Sequence, residues 1–116
     1  MHMAGSEVLP IDLERIHDAT GGDPEFLAEL VEIFLEDAEL RFREIAGAVA
    51  AGDPGELRKT AHKLKGSSAN MGADGLMSMA KSLEDMGHAG EMSVAETQLP
   101  HLEAELGRVR HALEAL

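Results

Sequence analysis

The sequence has no cysteine, no tryptophan and no tyrosine, and only three phenylalanines. Without Cys there is no disulfide framework, no thiol nucleophile and no thiolate metal site. A reducing, cytoplasmic location fits that absence. With aromatics at 3% of residues, the interior has to be built from Leu, Ala, Val, Ile and Met. No run approaches the roughly 18 consecutive apolar residues that a membrane span needs. Met1 to Pro10 lacks the basic and apolar regions of a signal peptide. Positive charge is scarce too: 10 Lys and Arg against 22 Asp and Glu leave a net charge of -12. That balance argues against nucleic acid, whose phosphates demand a basic footprint. It favours solubility and a partner with a basic or metal-bearing face.

Strand signals are also missing. No alternating run is bounded by turns, and there is no internal repeat or low-complexity linker. Met1-His2-Met3 reads as an expression remnant, residues 1–8 as an N-terminal tail and residues 9–116 as one domain.

What is present is helical punctuation. Asp23-Pro24 and Asp53-Pro54 each pair an N-cap with the imino acid suited to the first helical position. Phe26, Leu30, Phe34, Ala38 and Phe42 then recur every four residues, and Leu27, Val31, Leu35, Ile45 and Val49 widen the stripe. This spacing predicts an amphipathic helix over about 24–51, ended by Gly52. A second helix starts at Pro54, with Glu56 three residues after the cap, and runs to about Asn70, with Gly72 near its C-cap. Its core stripe is Leu57, Ala61, Leu64, Ser68 and Met71. Leu76, Met79, Ala80, Leu83 and Met86 predict a third helix over about 73–87, followed by a Gly87-His88-Ala89-Gly90 loop. Ser93-Val94-Ala95-Glu96 has the form of a capping box for a last helix carrying Leu99, Leu102, Leu106, Val109 and Leu113. Pro100 should kink that helix or delay its start. Upstream, Ile11 to Ala19 reads as a short helix ending in the turn Thr20-Gly21-Gly22. The short connections imply antiparallel neighbours. The fold class is therefore all-α: an up-and-down antiparallel four-helix bundle with a short additional N-terminal helix.

One histidine stands out. With Leu57 as zero and about 100° per residue, the core stripe of the second helix lies within roughly 40° of zero and His62 near 140°. His62 should face solvent. Four of the chain's ten basic residues, Arg58, Lys59, Lys63 and Lys65, lie between positions 58 and 65. Neutral imidazole is a good nucleophile near neutral pH, its ordinary pKa being about 6.5. Flanking cations discourage protonation and can stabilise an incoming phosphoryl group. Gly66, one turn on, removes a side chain that would crowd the ring. A helix-interior Gly costs about 1 kcal/mol relative to Ala, which suggests a steric purpose. Ala69 keeps the same face low. The plain alternative is an ordinary exposed helix histidine.

The run His62-Lys63-Leu64-Lys65-Gly66-Ser67-Ser68, followed by Gly72-Ala73, resembles the signature of histidine-containing phosphotransfer (HPt) domains. Ile11-Asp12-Leu13 and Gly22-Asp23-Pro24-Glu25-Phe26-Leu27 resemble the family's opening segment, and Ala80-Lys81-Ser82-Leu83-Glu84 its helix after the active one. The resemblance implies that His62 accepts phosphate, that Lys65 contacts the phosphoryl group, that Gly66 gives access and that Lys63 adds positive potential. It implies response-regulator receiver domains as partners, and a hybrid histidine kinase or kinase core as a further source of phosphate. It also implies a monomeric phosphoryl carrier without a nucleotide site, cofactor or metal of its own, the Mg²⁺ and catalytic carboxylates belonging to the receiver. Met71 stands where Leu is usual, and Pro100 interrupts the last helix. The docking surface is expected at the edge between the first long helix and the His62 helix, with Leu35, Ala38, Phe42 and Ala69 as candidates. Periodicity alone assigns the same residues to the core.

Other signals are weaker. His17, His88 and His111 are scattered, and His101 with Glu105 makes a poor metal pair. Thr20-Gly21-Gly22 lacks the strand and Lys of a phosphate-binding loop. Two competing functions remain: a non-catalytic helical binding module, such as a scaffold or anti-sigma-type regulator, and a phosphotransfer domain excised from a chemotaxis-type or hybrid kinase.

Overall fold

A computed structural model describes residues 9–116; the tail at 1–8, including Met1-His2-Met3, lies outside the described residues. Those residues form five helices and no strand: α1 (Leu13–Thr20), α2 (Pro24–Ala51), α3 (Pro54–Asn70), α4 (Asp74–Ala89) and α5 (Met92–Glu114). Asp12, Asp23 and Asp53 cap α1, α2 and α3, each carboxylate accepting from a backbone N–H of the first turn. Pro24 and Pro54 open α2 and α3, where their missing N–H costs nothing. Gly52 closes α2 in the left-handed conformation at φ 63°.

Three boundaries differ from the sequence reading. The residues expected as a loop, Gly87, His88 and Ala89, continue α4, which stops only where Gly90 turns left-handed at φ 75°. α5 then begins at once at Met92, with Glu91 as its N-cap and no side-chain capping bond. Ser93 is already inside the helix, so the Ser93–Glu96 capping box does not form. Pro100 neither delays nor ends α5. Ala95, Leu102, Leu106, Val109 and Leu113 are buried in phase on both sides of it, and Pro100 itself is exposed. Packing along the whole stripe outweighs the roughly 3 kcal/mol that an interior proline costs.

α3 packs against α2 on one side and α4 on the other, and α5 packs against α4 and α2. Ile45, Leu57, Leu64, Leu76, Leu83, Leu102 and Val109 are the large residues sealed at the centre. The five residues of the α3 core stripe are all buried. α3 and α4 approach most tightly at Gly87. A Cβ there would lie 2.8 Å from the backbone N of Arg58 and 2.9 Å from the carbonyl of Pro54. That approach brings the outer edges of the two helices within side-chain reach. α1 packs on α2, and one backbone and one side-chain hydrogen bond hold its start to the end of α3 and the α3–α4 turn. Asp12 N–H donates to Gly72 O at 2.9 Å, and Arg15 Nη1 donates to Ala69 O at 3.2 Å. Gly72, at φ 66°, leaves no room for a Cβ, which would meet that of Asp12 at 2.8 Å.

Candidate functional site

His62 projects from the middle of α3 with 65% of its side chain exposed. The placement follows from the helix period: Leu57, Ala61 and Leu64 turn inward and are solvent-free, which leaves position 62 outside the stripe. The ring is nevertheless held. Its Nδ1 lies 2.7 Å from Oε2 of Glu84 on α4. The other oxygen of the same carboxylate, Oε1, accepts from Lys65 Nζ at 2.7 Å. Glu84 is only 19% exposed.

The Lys65 hydrogen bond is the main cause that holds the Glu84 carboxyl below the usual carboxylate range, with His62 adding to it and partial burial opposing. An ionised carboxylate can only accept. The Nδ1 contact is therefore an Nδ1–H donating to Oε2, and this fixes the tautomer of a neutral ring. Nε2 is left with its lone pair on the side of the imidazole away from the contact.

Sequence reasoning places cations around His62, yet the charged group that touches the ring is an anion. Of the four cations in the run, only Lys65 shares a partner with it. Lys59 pairs with Glu56 at 3.9 Å. Arg58 and Lys63 are exposed. Lys63 lends its charge to Glu44 on α2, a carboxylate held low mainly by Arg41 and also by the Thr60 hydroxyl. Gly66 has no atom within 4 Å of the position a Cβ would occupy, so it serves no packing need and leaves open space one turn from His62.

Of the docking candidates, only Ala38 is ruled out by burial. Ala38 is fully buried. Leu35 and Phe42 are half-buried and pack against the core. Ala69 is half-buried and its carbonyl is engaged by Arg15. The large apolar residues that α2 does expose are Phe26, Ile33 and Leu40, at seven-residue spacing. A seven-residue step returns to nearly the same helix face, and of these three only Phe26 stood in the predicted stripe.

Glu84 is the residue that sequence reasoning missed. No local signal marks it: only the packed register, with Gly87 against Arg58 and a short turn at 71–73, brings position 84 opposite position 62. The last residues to place are His101 and Glu105. The Glu105 carboxylate is buried and accepts from Arg108 at 2.8 Å, and His101 is exposed. Among the described residues no cluster of His, Asp and Glu is arranged to hold a metal, and no helix is long and apolar enough to cross a membrane. A groove of about 930 Å³ lies between Leu9–Leu13 and α5. It includes neither His62 nor any residue bonded to it.

No curated protein matches the sequence. The Hpt domain family matches residues 29–112. Among solved structures, histidine-containing phosphotransfer protein B from Pseudomonas aeruginosa superposes with a TM-score of 0.86 at 32% sequence identity, covering 94% of this chain and 95% of that one.

Proposed function

The chain belongs to the Hpt domain family and is a histidine phosphotransfer protein of a phosphorelay; from that premise we propose that the phosphoryl group is carried on Nε2 of His62. The observation that carries this reading is the Nδ1–Glu84 contact on a ring that is otherwise exposed. In the neutral ring it places the proton on Nδ1 and leaves the Nε2 lone pair free. Hpt proteins interact with receiver domains and kinases. The specific donor here is a receiver aspartyl phosphate, and the acceptor is the aspartate of a second response regulator.

The division of labour follows from the chemistry. Phosphoryl transfer needs in-line positioning and charge neutralisation more than acid–base machinery. The receiver brings Mg²⁺ and the carboxylates around its aspartate. This chain supplies the nucleophile, the open space at Gly66, the potential of Arg58, Lys59 and Lys63, and Lys65, which turns from Glu84 to the phosphoryl oxygens as charge arrives. The protein binds no nucleotide or cofactor and turns over no substrate of its own, acting as a monomeric cytoplasmic carrier. Residues 9–116 make up the phosphotransfer domain. α2 to α5 form the up-and-down antiparallel bundle, and α1 is the short additional helix that braces the α3–α4 turn.

Receivers dock over His62 and reach across to α2, where Ile33 and Leu40 replace the buried Ala38 and the half-buried Leu35 and Phe42 as apolar anchors. Leu40 is one turn from Glu44, which accepts from Thr60 of α3 at 3.0 Å, two residues before His62. Ile33→Ser with Leu40→Ser should slow transfer from a receiver while leaving chemical phosphorylation by phosphoramidate unchanged. Equal transfer rates would remove α2 from the docking surface. The scaffold and kinase-fragment readings are not favoured by the family and structural matches.

The direct test is incubation with a phosphorylated receiver and Mg²⁺, followed by assay for acid-labile, base-stable label. His62→Gln should abolish that label; a labelled His62→Gln protein would refute the site.

A further inference from the structure

Away from His62, the start of α1 and the C-terminal half of α5 frame two joined hollows. The larger is the groove of about 930 Å³. The smaller, of about 310 Å³, shares Leu9, Pro10, Ile11 and Arg108 with it and continues to α4 at Gly75 and Met79. We propose that this joined site binds a segment of a partner protein in which one arginine or lysine stands beside leucine-like side chains. The cationic head enters the smaller hollow to meet Glu105, and the apolar side chains lie along the groove. The inference stands apart from the assignment of the carrier histidine.

The cationic end follows from Glu105. That residue is 6% exposed, and its Oε1 accepts from Arg108 at 2.8 Å. Its Oε2 accepts no hydrogen bond from the described residues and lies against Gly75, where a Cβ would stand 2.7 Å from it. Gly75 thus leaves that edge of the carboxylate uncovered on the wall of the smaller hollow. A buried carboxylate oxygen calls for a donor, and a charged donor bonds it most strongly. Asp12 and Asp74 line the same hollow. Arg15 pairs with both, at 3.6 and 2.9 Å. Among these described groups three carboxylates stand against two guanidiniums, Arg15 and Arg108, and one negative charge is left over. A guanidinium or ammonium group supplies the missing donor and the missing charge together.

The apolar end follows from α5. Gly107 sits in the interior of that helix, where glycine is a poor choice. Nothing lies within 4 Å of the position its Cβ would take. No described neighbour requires the glycine, and the missing side chain keeps the floor of the groove low. Leu9, Leu13 and Leu116 are exposed, and all three line the groove. Apolar side chains gathered in a concave site, with a polar group at one end, have the form of a binding site rather than of an ordinary solvated face. α5 packs against α4 and α2, whereas His62 projects from α3. A partner held in the groove leaves His62 uncovered, and the tether raises the partner's effective concentration at the ring.

The test titrates the ¹⁵N-labelled full chain with the acetylated, amidated peptide Arg-Leu-Ala-Leu-Leu. A second peptide carries citrulline, the neutral isostere, in place of arginine. The arginine peptide should give saturable amide shifts at Gly75, Glu105 and Gly107 and none at His62. The citrulline peptide should bind about tenfold more weakly, because the charged hydrogen bond is lost. Glu105→Gln keeps an oxygen for Arg108 while removing the charge, and it should weaken the arginine peptide by the same factor. Gly107→Leu fills the floor of the groove and should weaken both peptides alike. Its side chain starts in open space, and circular dichroism should show helicity at least equal to that of the wild type. No saturable shift at Gly75, Glu105 and Gly107, or shifts centred elsewhere, would overturn the site. Equal affinity for the two peptides, or an unchanged affinity in Glu105→Gln, would overturn the cationic partner. A dimer in sedimentation that Gly107→Leu dissolves would give the groove to a second copy of this chain and overturn the proposal.

Discussion

Two side chains and one missing side chain define the chemistry. In the proposed carrier role His62 contributes Nε2, while Glu84 bonds Nδ1 and the space beside Gly66 is open. Gly66→Ala separates stability from function. Nothing lies within 4 Å of the new Cβ, so alanine should raise stability, by up to about 1 kcal/mol from helix propensity. The same methyl group stands one turn from the ring, where a receiver aspartate must approach. Transfer from a phosphorylated receiver should fall about tenfold or more, as small displacements of reacting atoms do. Urea unfolding and a transfer time course measure both, and a variant that is less stable, or equally fast, would contradict the role given to Gly66. At this scale the exposure of His62 was legible from the helix period, and its locally basic run made it conspicuous in an acidic chain. Glu84 was not. A glutamate beside a core leucine on a polar helix face resembles every other surface glutamate until the facing helix is in place.

At the scale of elements, the tight contact between α3 and α4 makes the site. Gly87→Ala tests it: the new Cβ would lie 2.8 Å from the backbone N of Arg58, and backbone cannot rotate away. The helices must separate, which should cost about 1–3 kcal/mol. The Glu84 bonds to His62 and Lys65 should loosen with them. Unfolding in urea reports the first effect and the ¹⁵N tautomer pattern of His62 the second; an unchanged midpoint would show that the helices are not locked at Gly87. α2 and α3 were legible because Asp23-Pro24, Gly52 and Asp53-Pro54 are strong local signals. The α4–α5 junction was not. Gly87 reads as a loop residue, but its lack of a side chain serves helix packing, and the left-handed turn is made by Gly90 instead. Pro100 misled for a related reason, since its local cost is spread against the burial of five apolar residues along α5.

At the scale of the whole molecule, a net charge of -12 has to be carried by a small helical core, and several carboxylates are tied to specific cations. Glu39, Glu44 and Glu84 are each held below the usual carboxylate range, by Arg110, Arg41 and Lys65 respectively as the leading cause. Unfolding returns them to about 4.3. A depressed carboxyl contributes stability that is fully present above the unfolded value and is lost as pH falls through the folded one. Urea midpoints should therefore hold between pH 7 and 5 as far as these groups are concerned and fall steadily below about pH 4.3. Glu84→Gln should show a shallower acid-side loss than the wild type; parallel curves would mean that Glu84 gains nothing from its contacts in the folded state. The all-helical character of the molecule was legible from periodicity alone. The division of apolar α2 residues between core and surface was not, because a stripe half the helix circumference wide does not say which edge the neighbouring helices cover.

The atom that carries the phosphoryl group is located directly by ¹⁵N–³¹P NMR on ¹⁵N-histidine-labelled protein, loaded by a phosphorylated receiver and Mg²⁺. The prediction is a single phosphohistidine, with phosphorus coupled to Nε2 of His62. Coupling to Nδ1, coupling to another histidine, or label that survives in His62→Gln would contradict it.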